Sequence, residues 1–357
     1  MSAQRLPAPR PSLAPLAAYA PGGAPCAIDL SDNTNLFGAP PAAALAVRGA
    51  VDALVTRYPT PFTDELRAAL AALHGVAPEC VVTGCGSDGV LEPALRAFTL
   101  PGDRLTWHDP TFSMVPALAR VHALEPVPVT CPGAPVAATI DALFDASPAV
   151  VYVCSPNNPT GARAGADALD RVRRRVRDAA RPPLVVFDQA YAEFDEGDSP
   201  ERCFTVDEPV LVTRTLSKAY GLAGLRVGYA IAPPAIVAAI EKARGPYAVG
   251  AVAERAAVAA LTRDRAWVRA RIAEVVALRA RFADALRARG FVPHASAANF
   301  VLVPVADAAA ADAALRARGV GVRAFAGLAG IGDALRITIG PWPMLERCLA
   351  ALDGVTP

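Results

Sequence analysis

A chain of 357 residues, 53% hydrophobic and 19% charged, is long enough for two domains and apolar enough to bury a large core, which excludes an intrinsically disordered segment. Thirty-five basic residues against 34 acidic leave a formal charge of +1, so no global field gathers nucleic acid or an anionic membrane, and a small-molecule partner is expected. Seven cysteines, without a C-x-x-C pair or a histidine cluster of metal-ligand spacing, predict no metal site and a reducing, cytoplasmic compartment.

The first 40 residues are rich in Pro, Gly and Ala and read as an irregular arm, partly joining the C-terminal lobe. Its uncharged stretch from Pro11 to Ile28 holds four prolines and two glycines, which break any apolar helix, so neither an export signal nor a membrane span is expected. Residues 41–244 alternate helices with short apolar strands. Ala42 to Leu54 and Phe62 to His74 are expected helices, the second opened by Thr63 with Asp64 and Glu65 in its first turn. Strands are expected at 81–83, 150–153, 184–187 and 210–213. Such runs, apolar throughout and separated by helices, suit a mostly parallel sheet buried on both faces. The basic run Arg171 to Arg177 is interleaved with a buried stripe of Leu169, Val172 and Val176, which makes its arginines a solvated helix face rather than a nucleic-acid patch. Residues 245–357 follow as a smaller α+β lobe. It opens with a long helix from Trp267 to Arg289, striped by Val268, Ile272, Val275, Phe282 and Leu286. Strands near 299–304 and 335–339 and a last helix over 343–352 complete it.

Two of the basic residues are lysines, Lys218 and Lys242, and the rest are arginines. In a chain that writes positive charge as Arg, a site needing an amine that can lose its proton must still use Lys, and a Schiff-base lysine is such a site. Lys218 follows a predicted strand among hydroxyl residues, in Thr215-Leu216-Ser217-Lys218, with Arg226 eight positions on; Lys242, in a helix beside Glu241, reads as surface. Asp188 ends a buried strand, where α/β sheets bind ligands; it either caps the next helix or meets a cation. The protonated ring nitrogen of pyridoxal phosphate is such a cation. Ser155-Pro156-Asn157-Asn158-Pro159-Thr160-Gly161 is a rigid turn that can stand alone or present the Asn158 amide to that ring's phenolic oxygen. Gly84-Cys85-Gly86-Ser87-Asp88-Gly89 precedes a helical run and can offer backbone N–H groups to a phosphate.

Asn-Pro-Thr-Gly, then Asp-x-Ala-Tyr, then Ser-Lys and a trailing Arg resemble the fold-type I pyridoxal-phosphate aminotransferases, and most of all their histidinol-phosphate aminotransferase branch. The resemblance runs from Leu-Ser-Asp-Asn-Thr-Asn-Leu-Phe-Gly at 30–38 through Arg57-Tyr58-Pro59 to Leu335-Arg336-Ile337-Thr338. It implies an α/β fold with a mostly parallel seven-stranded sheet and a smaller α+β domain. It also implies that Lys218 holds the cofactor aldehyde and carries the proton between Cα and C4′. Asp188 would pair with the pyridinium nitrogen, Asn158 and Tyr191 would hydrogen-bond the phenolate oxygen, and Phe112 would stack on the ring. Ser87, Asp88, Thr215, Ser217 and Arg226 would surround the phosphate, joined by Tyr58 from the other subunit of a homodimer. Arg336 would bind a carboxylate and, with Arg323 and Tyr19, the phosphate of histidinol phosphate; Asn35 is expected in the same cleft. The four histidines fall in none of these motifs. The chain departs from the family pattern at Phe112, where Tyr is usual, and at Gly89, where an acidic residue is common. An amino donor and a 2-oxo acid acceptor are the implied partners. Aromatic amino-acid transamination, threonine-phosphate decarboxylation and a catalytically silent cofactor-binding regulator remain as alternatives.

Overall fold

The computed structural model describes residues 8–18, 23, 26–130, 136–165, 167–196 and 209–357. In chain order the first elements are β1 (Ile28–Asp29), α1 (Pro41–Arg48), α2 (Asp52–Val55), α3 (Asp64–His74), β2 (Val81–Cys85), α4 (Asp88–Phe98), β3 (Arg104–His108), α5 (Met114–Val121), β4 (Glu125–Val129) and α6 (Val136–Asp145). Then come β5 (Val150–Cys154), α7 (Ala168–Asp178), β6 (Leu184–Asp188), β7 (Val210–Thr215), β8 (Val227–Ile231) and α8 (Pro234–Ala243). The remainder supplies α9 (Ala251–Arg263), α10 (Arg265–Arg287), β9 (Phe300–Pro304), α11 (Ala308–Ala317), β10 (Val320–Gly321), β11 (Arg323–Leu328), β12 (Gly332–Thr338) and α12 (Trp342–Ala351).

The largest sheet among the described residues has seven strands in the order β2-β8-β7-β6-β5-β3-β4. β8 runs antiparallel to both its neighbours, and every other pairing is parallel. Side chains alternate between two buried faces, which is why the strands are apolar throughout. On β5, Val150, Tyr152 and Cys154 enter a core with residues of α4, α5 and α8, whereas Val151 and Val153 enter one with residues of α6 and α7. The edge strand β4 carries Pro126 and Pro128, tolerable where one side of the ladder is unpaired. Those prolines hide β4 from a reading of β propensity.

Two expectations need correction. The helix expected from Ala42 to Leu54 is two pieces: α1 stops at Gly49, whose N–H closes on Leu45, and Val51 is extended before α2 begins. Thr63 does precede α3, but it sits at φ 53° and gives no side-chain cap; the Asp64 N–H donates to the Thr60 hydroxyl instead. Helix α9 packs on α1 and α3. The Arg171 to Arg177 face behaves as expected: Arg171 pairs with Asp141 and Asp167, Arg173 with Asp170 and Arg175 with Asp145.

The C-terminal segment builds an antiparallel sheet, β11-β12-β9, and β10 pairs in parallel with β1, so the N-terminal segment is stitched to the far end of the chain. No helix of the described residues is long and apolar enough to cross a membrane. The α1–α9 contact has its own lock: buried Asp264, after α9, accepts the N–H groups of Ala42 and Ala43 in the first turn of α1. An Asp264→Ala substitution leaves those donors buried and should destabilise the protein by about 1–2 kcal/mol. Urea unfolding should read this loss, with Asp264→Asn recovering part of it.

Candidate active site

The strand directions decide where the site lies. Parallel β3, β5, β6 and β7 all end at one edge of the sheet, and antiparallel pairing brings the start of β8 and the end of β2 to the same edge, through the registers Thr215↔Gly228 and Cys85↔Val227. The segments leaving these strand ends carry Phe112, Asn158, Asp188, Lys218, Arg226 and Ser87. All six line one cavity of about 530 Å³, which Asp88, Tyr191, Thr215, Ser217, Arg323 and Arg336 also line. Ligands bind in this position on open α/β sheets.

Asp188 is 2% exposed, and burial pushes its carboxyl up to about 6. Oδ2 accepts the Tyr152 hydroxyl at 2.6 Å and Oδ1 accepts the Ala190 N–H at 3.1 Å. Lys218 moves the other way: burial, then the Arg336 guanidinium, lower its ammonium to about 8. Its Nζ donates to the Asp32 carbonyl at 3.1 Å and lies 5.9 Å from the Tyr191 ring centre. Tyr191 is pushed up to about 12 by burial, and its hydroxyl accepts from Asn33 Nδ2 at 3.0 Å.

At the other end of the cavity, Thr215 and Ser217 share a hydroxyl–hydroxyl hydrogen bond of 2.8 Å, and Arg226 lies 4.0 Å from Asp88. Arg226 itself sits at φ 55°, and its carbonyl accepts the Gly86 N–H, which draws the glycine loop onto β8. Gly228 permits that approach: a Cβ there would stand 2.1 Å from the Gly86 backbone. Gly89, the departure from the family pattern, has a similar reason, because a Cβ would press to 3.2 Å against Cys85.

The C-terminal sheet contributes two arginines to the cavity. Arg323 on β11 and Arg336 on β12 are register partners, directly opposite one another. Arg336, 8% exposed, donates to Asn158 Oδ1 and to the Ser31 carbonyl, each at 2.6 Å, and lies over the rings of Phe300 and Phe325. Like charges opposite each other on a sheet repel, and an anion between them removes that cost.

Two expected residues stand apart from the cavity. Asn35 is turned away: Nδ2 donates to the Ala219 carbonyl and Oδ1 accepts the Phe37 N–H, so both ends of its amide serve the local turn. Asn33, two residues earlier, lines the cavity in its place. Tyr58 is 81% exposed and stacked on Tyr247 with ring centres 4.6 Å apart. Tyr19 lies outside the described residues. Sequence reasoning missed Asn33, Tyr152 and Phe325. It also missed the buried Arg214, which holds Gln189 and Glu193 on either side of Tyr191. Asn33 lay within the recognised 30–38 segment, but only its φ of 54° and its long-range partners single it out.

A titratable amine and a buried acid at the carboxyl ends of parallel strands, in a cavity also lined by two arginines of the C-terminal sheet, are the marks of an enzyme site. The chain belongs to the family "Aminotransferase class I and II", whose model matches residues 26–352. Among curated relatives, the histidinol-phosphate aminotransferase of Roseobacter denitrificans is 39% identical over 91% of this chain and 90% of that protein. The aromatic amino acid aminotransferase of Rhodococcus jostii is 38% identical over 94% and 92%. A solved histidinol-phosphate aminotransferase from Sinorhizobium meliloti, in complex with pyridoxal-5'-phosphate, superposes with a TM-score of 0.85 at 26% identity, covering 98% of both chains.

In cofactor-free protein, modification of Lys218 by cyanate, followed by peptide mass spectrometry, should rise with pH through a midpoint near 8 as the amine loses its proton. A midpoint above about 10, the ordinary lysine range, would contradict the burial described.

Proposed function

We propose that the protein transfers the amino group of histidinol phosphate to 2-oxoglutarate in two half-reactions, with pyridoxal phosphate as cofactor. The cavity's donor set supports the cofactor. Asp188 is a buried carboxylate that needs a cation, and the ring nitrogen offers one. Asn158, whose oxygen is held by Arg336, keeps its amide NH₂ for a phenolate, and Tyr191 adds a hydroxyl. The Ser87–Asp88 backbone at the start of α4, the Thr215 and Ser217 hydroxyls and the Arg226 guanidinium form a donor-rich pocket for the phosphate.

The bound cofactor supplies an electron sink for the pair left behind when Cα loses its proton. The chain's own residues do the rest. Lys218, its ammonium lowered by burial, would hold the aldehyde and would carry the proton between Cα and C4′. Asp188 keeps the ring nitrogen charged by standing as its counter-ion. Phe112 covers the ring face, and Arg336 orients the substrate anion.

The Arg323↔Arg336 register is the observation that carries the substrate choice. A single carboxylate is served by one guanidinium; two facing guanidiniums suit a phosphate dianion, which alternates with the 2-oxo acid's carboxylate in the other half-reaction. The second reading, aromatic amino-acid transamination, draws on Phe112 and Phe325 lining the same cavity. We further propose a cytoplasmic homodimer. Leu45, Val51, Val55, Phe62 and the Tyr58–Tyr247 stack are large apolar side chains left exposed, which suits an interface, and Tyr58 would reach the partner's cofactor phosphate.

Protein reconstituted with pyridoxal phosphate should show a near-visible absorption band that histidinol phosphate discharges in a single turnover. Conversion by phenylalanine but not histidinol phosphate would favour the second reading, and release of carbon dioxide would mark a decarboxylase. Lys218→Ala should lower transamination by at least about 10²- to 10⁴-fold, the usual worth of a proton carrier. Arg323→Ala should raise KM for histidinol phosphate at least about tenfold, as expected for loss of a charged hydrogen-bond partner, while changing phenylalanine turnover little.

A further inference from the structure

We propose that Tyr152 is a positioning residue for the cofactor-binding acid: from the neighbouring strand its phenol keeps Asp188 ionised and aimed at the ring nitrogen. The inference rests on the pyridoxal-phosphate reading above and adds a residue that none of the recognised motifs contains.

The geometry starts from the β5–β6 register. Tyr152 is opposite Val186 and Cys154 is opposite Asp188, so Tyr152 is the diagonal neighbour of Asp188 on one face of the sheet. An aromatic side chain can span that diagonal. The Tyr152 ring is buried among Leu91, Leu95, Leu105, Val115 and Leu118, where phenylalanine would pack equally well. The hydroxyl therefore has a polar reason to be there. It donates to Asp188 Oδ2 at 2.6 Å, the length of a hydrogen bond to an ionised oxygen, while the Ala190 N–H takes Oδ1. Both oxygens are thus held, and each keeps a lone pair for a further donor.

The surrounding groups make this bond matter. Cys154 and Tyr152 face Asp188 from β5, Asp88 from the start of α4, and Tyr191 from the turn after β6. Burial raises the thiol and both phenols, so all three stay protonated at neutral pH, and Asp88 adds like charge. Against the burial that drives Asp188 toward its neutral form, the Tyr152 hydrogen bond is the strongest opposing influence. Without it the acid would hold its proton at higher pH, where it can no longer stand as counter-ion to a pyridinium.

The test is equilibrium binding of pyridoxamine 5′-phosphate, which has no aldehyde to react with Lys218, to cofactor-free protein between about pH 5 and 8, on either side of the ordinary carboxyl and histidine ranges. Carboxyl C=O stretches of the same samples, followed by infrared difference spectroscopy, report Asp188 without any cofactor. Tyr152→Phe keeps the ring and its packing; it should weaken binding about tenfold at neutral pH and move the acid limb upward by about one pH unit. Site-specific 3-fluorotyrosine at 152, a more acidic donor, should move the limb downward, a reversal that lost packing cannot produce. Superposable acid limbs and unmoved C=O titrations in both variants would overturn the role of Tyr152 alone. Failure of the wild type to bind pyridoxamine phosphate would overturn the cofactor reading and this inference together.

Discussion

Removing an acid and an amine from water in one cavity, without letting them neutralise each other, is the constraint from which the site follows. Asp188 hydrogen-bonds Tyr152 and Ala190, while Lys218 donates to the Asp32 carbonyl. Burial drives the acid upward and the amine downward, so each is pressed toward its uncharged form. A ligand with a cation for one and an electrophile for the other relieves both at once. Two groups shifted in opposite directions and lining one cavity are the signature of a functional site.

The acid and the amine stand at strand ends of the seven-stranded sheet, whereas Arg323 and Arg336 come from the C-terminal sheet. Arg336 links the two regions: its strand belongs to the C-terminal sheet, while its guanidinium reaches Asn158 and the Ser31 carbonyl. Asn33 is the second link. Its side chain holds Tyr191, its N–H donates to Thr338 and its carbonyl accepts from Asn299, so three distant parts of the chain meet at one residue in the left-handed region. These short polar contacts lie beside a shared apolar core, in which Tyr191, Leu216 and Tyr229 cluster with Phe300, Leu335 and Ile337.

Much of this was legible in the sequence because chemistry and topology coincide there. Lys218 was conspicuous as an amine in a chain that otherwise uses guanidinium, and Asp188 as a charge at the end of an apolar strand. The buried strands announced themselves by unbroken Val and Leu runs. Less visible was whatever depends on cross-strand register. Tyr152 reads as one more apolar strand residue until its diagonal to Asp188 is known, and the Arg323–Arg336 pairing cannot be inferred from a spacing of thirteen. Asn35 was expected in the cleft and Asn33 was not, because a turn of backbone decides which amide faces inward. Strand β4 escapes because its prolines contradict its conformation.

The pairing of β1 with β10 and the bond from Asn33 to Thr338 also set a schedule. Asn33 and Thr338 are separated by 305 residues, and the β1–β10 partners by nearly as many, so these loops close only after β10 and β12 have left the ribosome. The strands bearing Asp188 and Lys218 can associate earlier, but the wall that holds Tyr191 and seats Arg336 cannot. A nascent chain stalled before β12 would carry its amine and its acid in place and still lack the means to grip an anion.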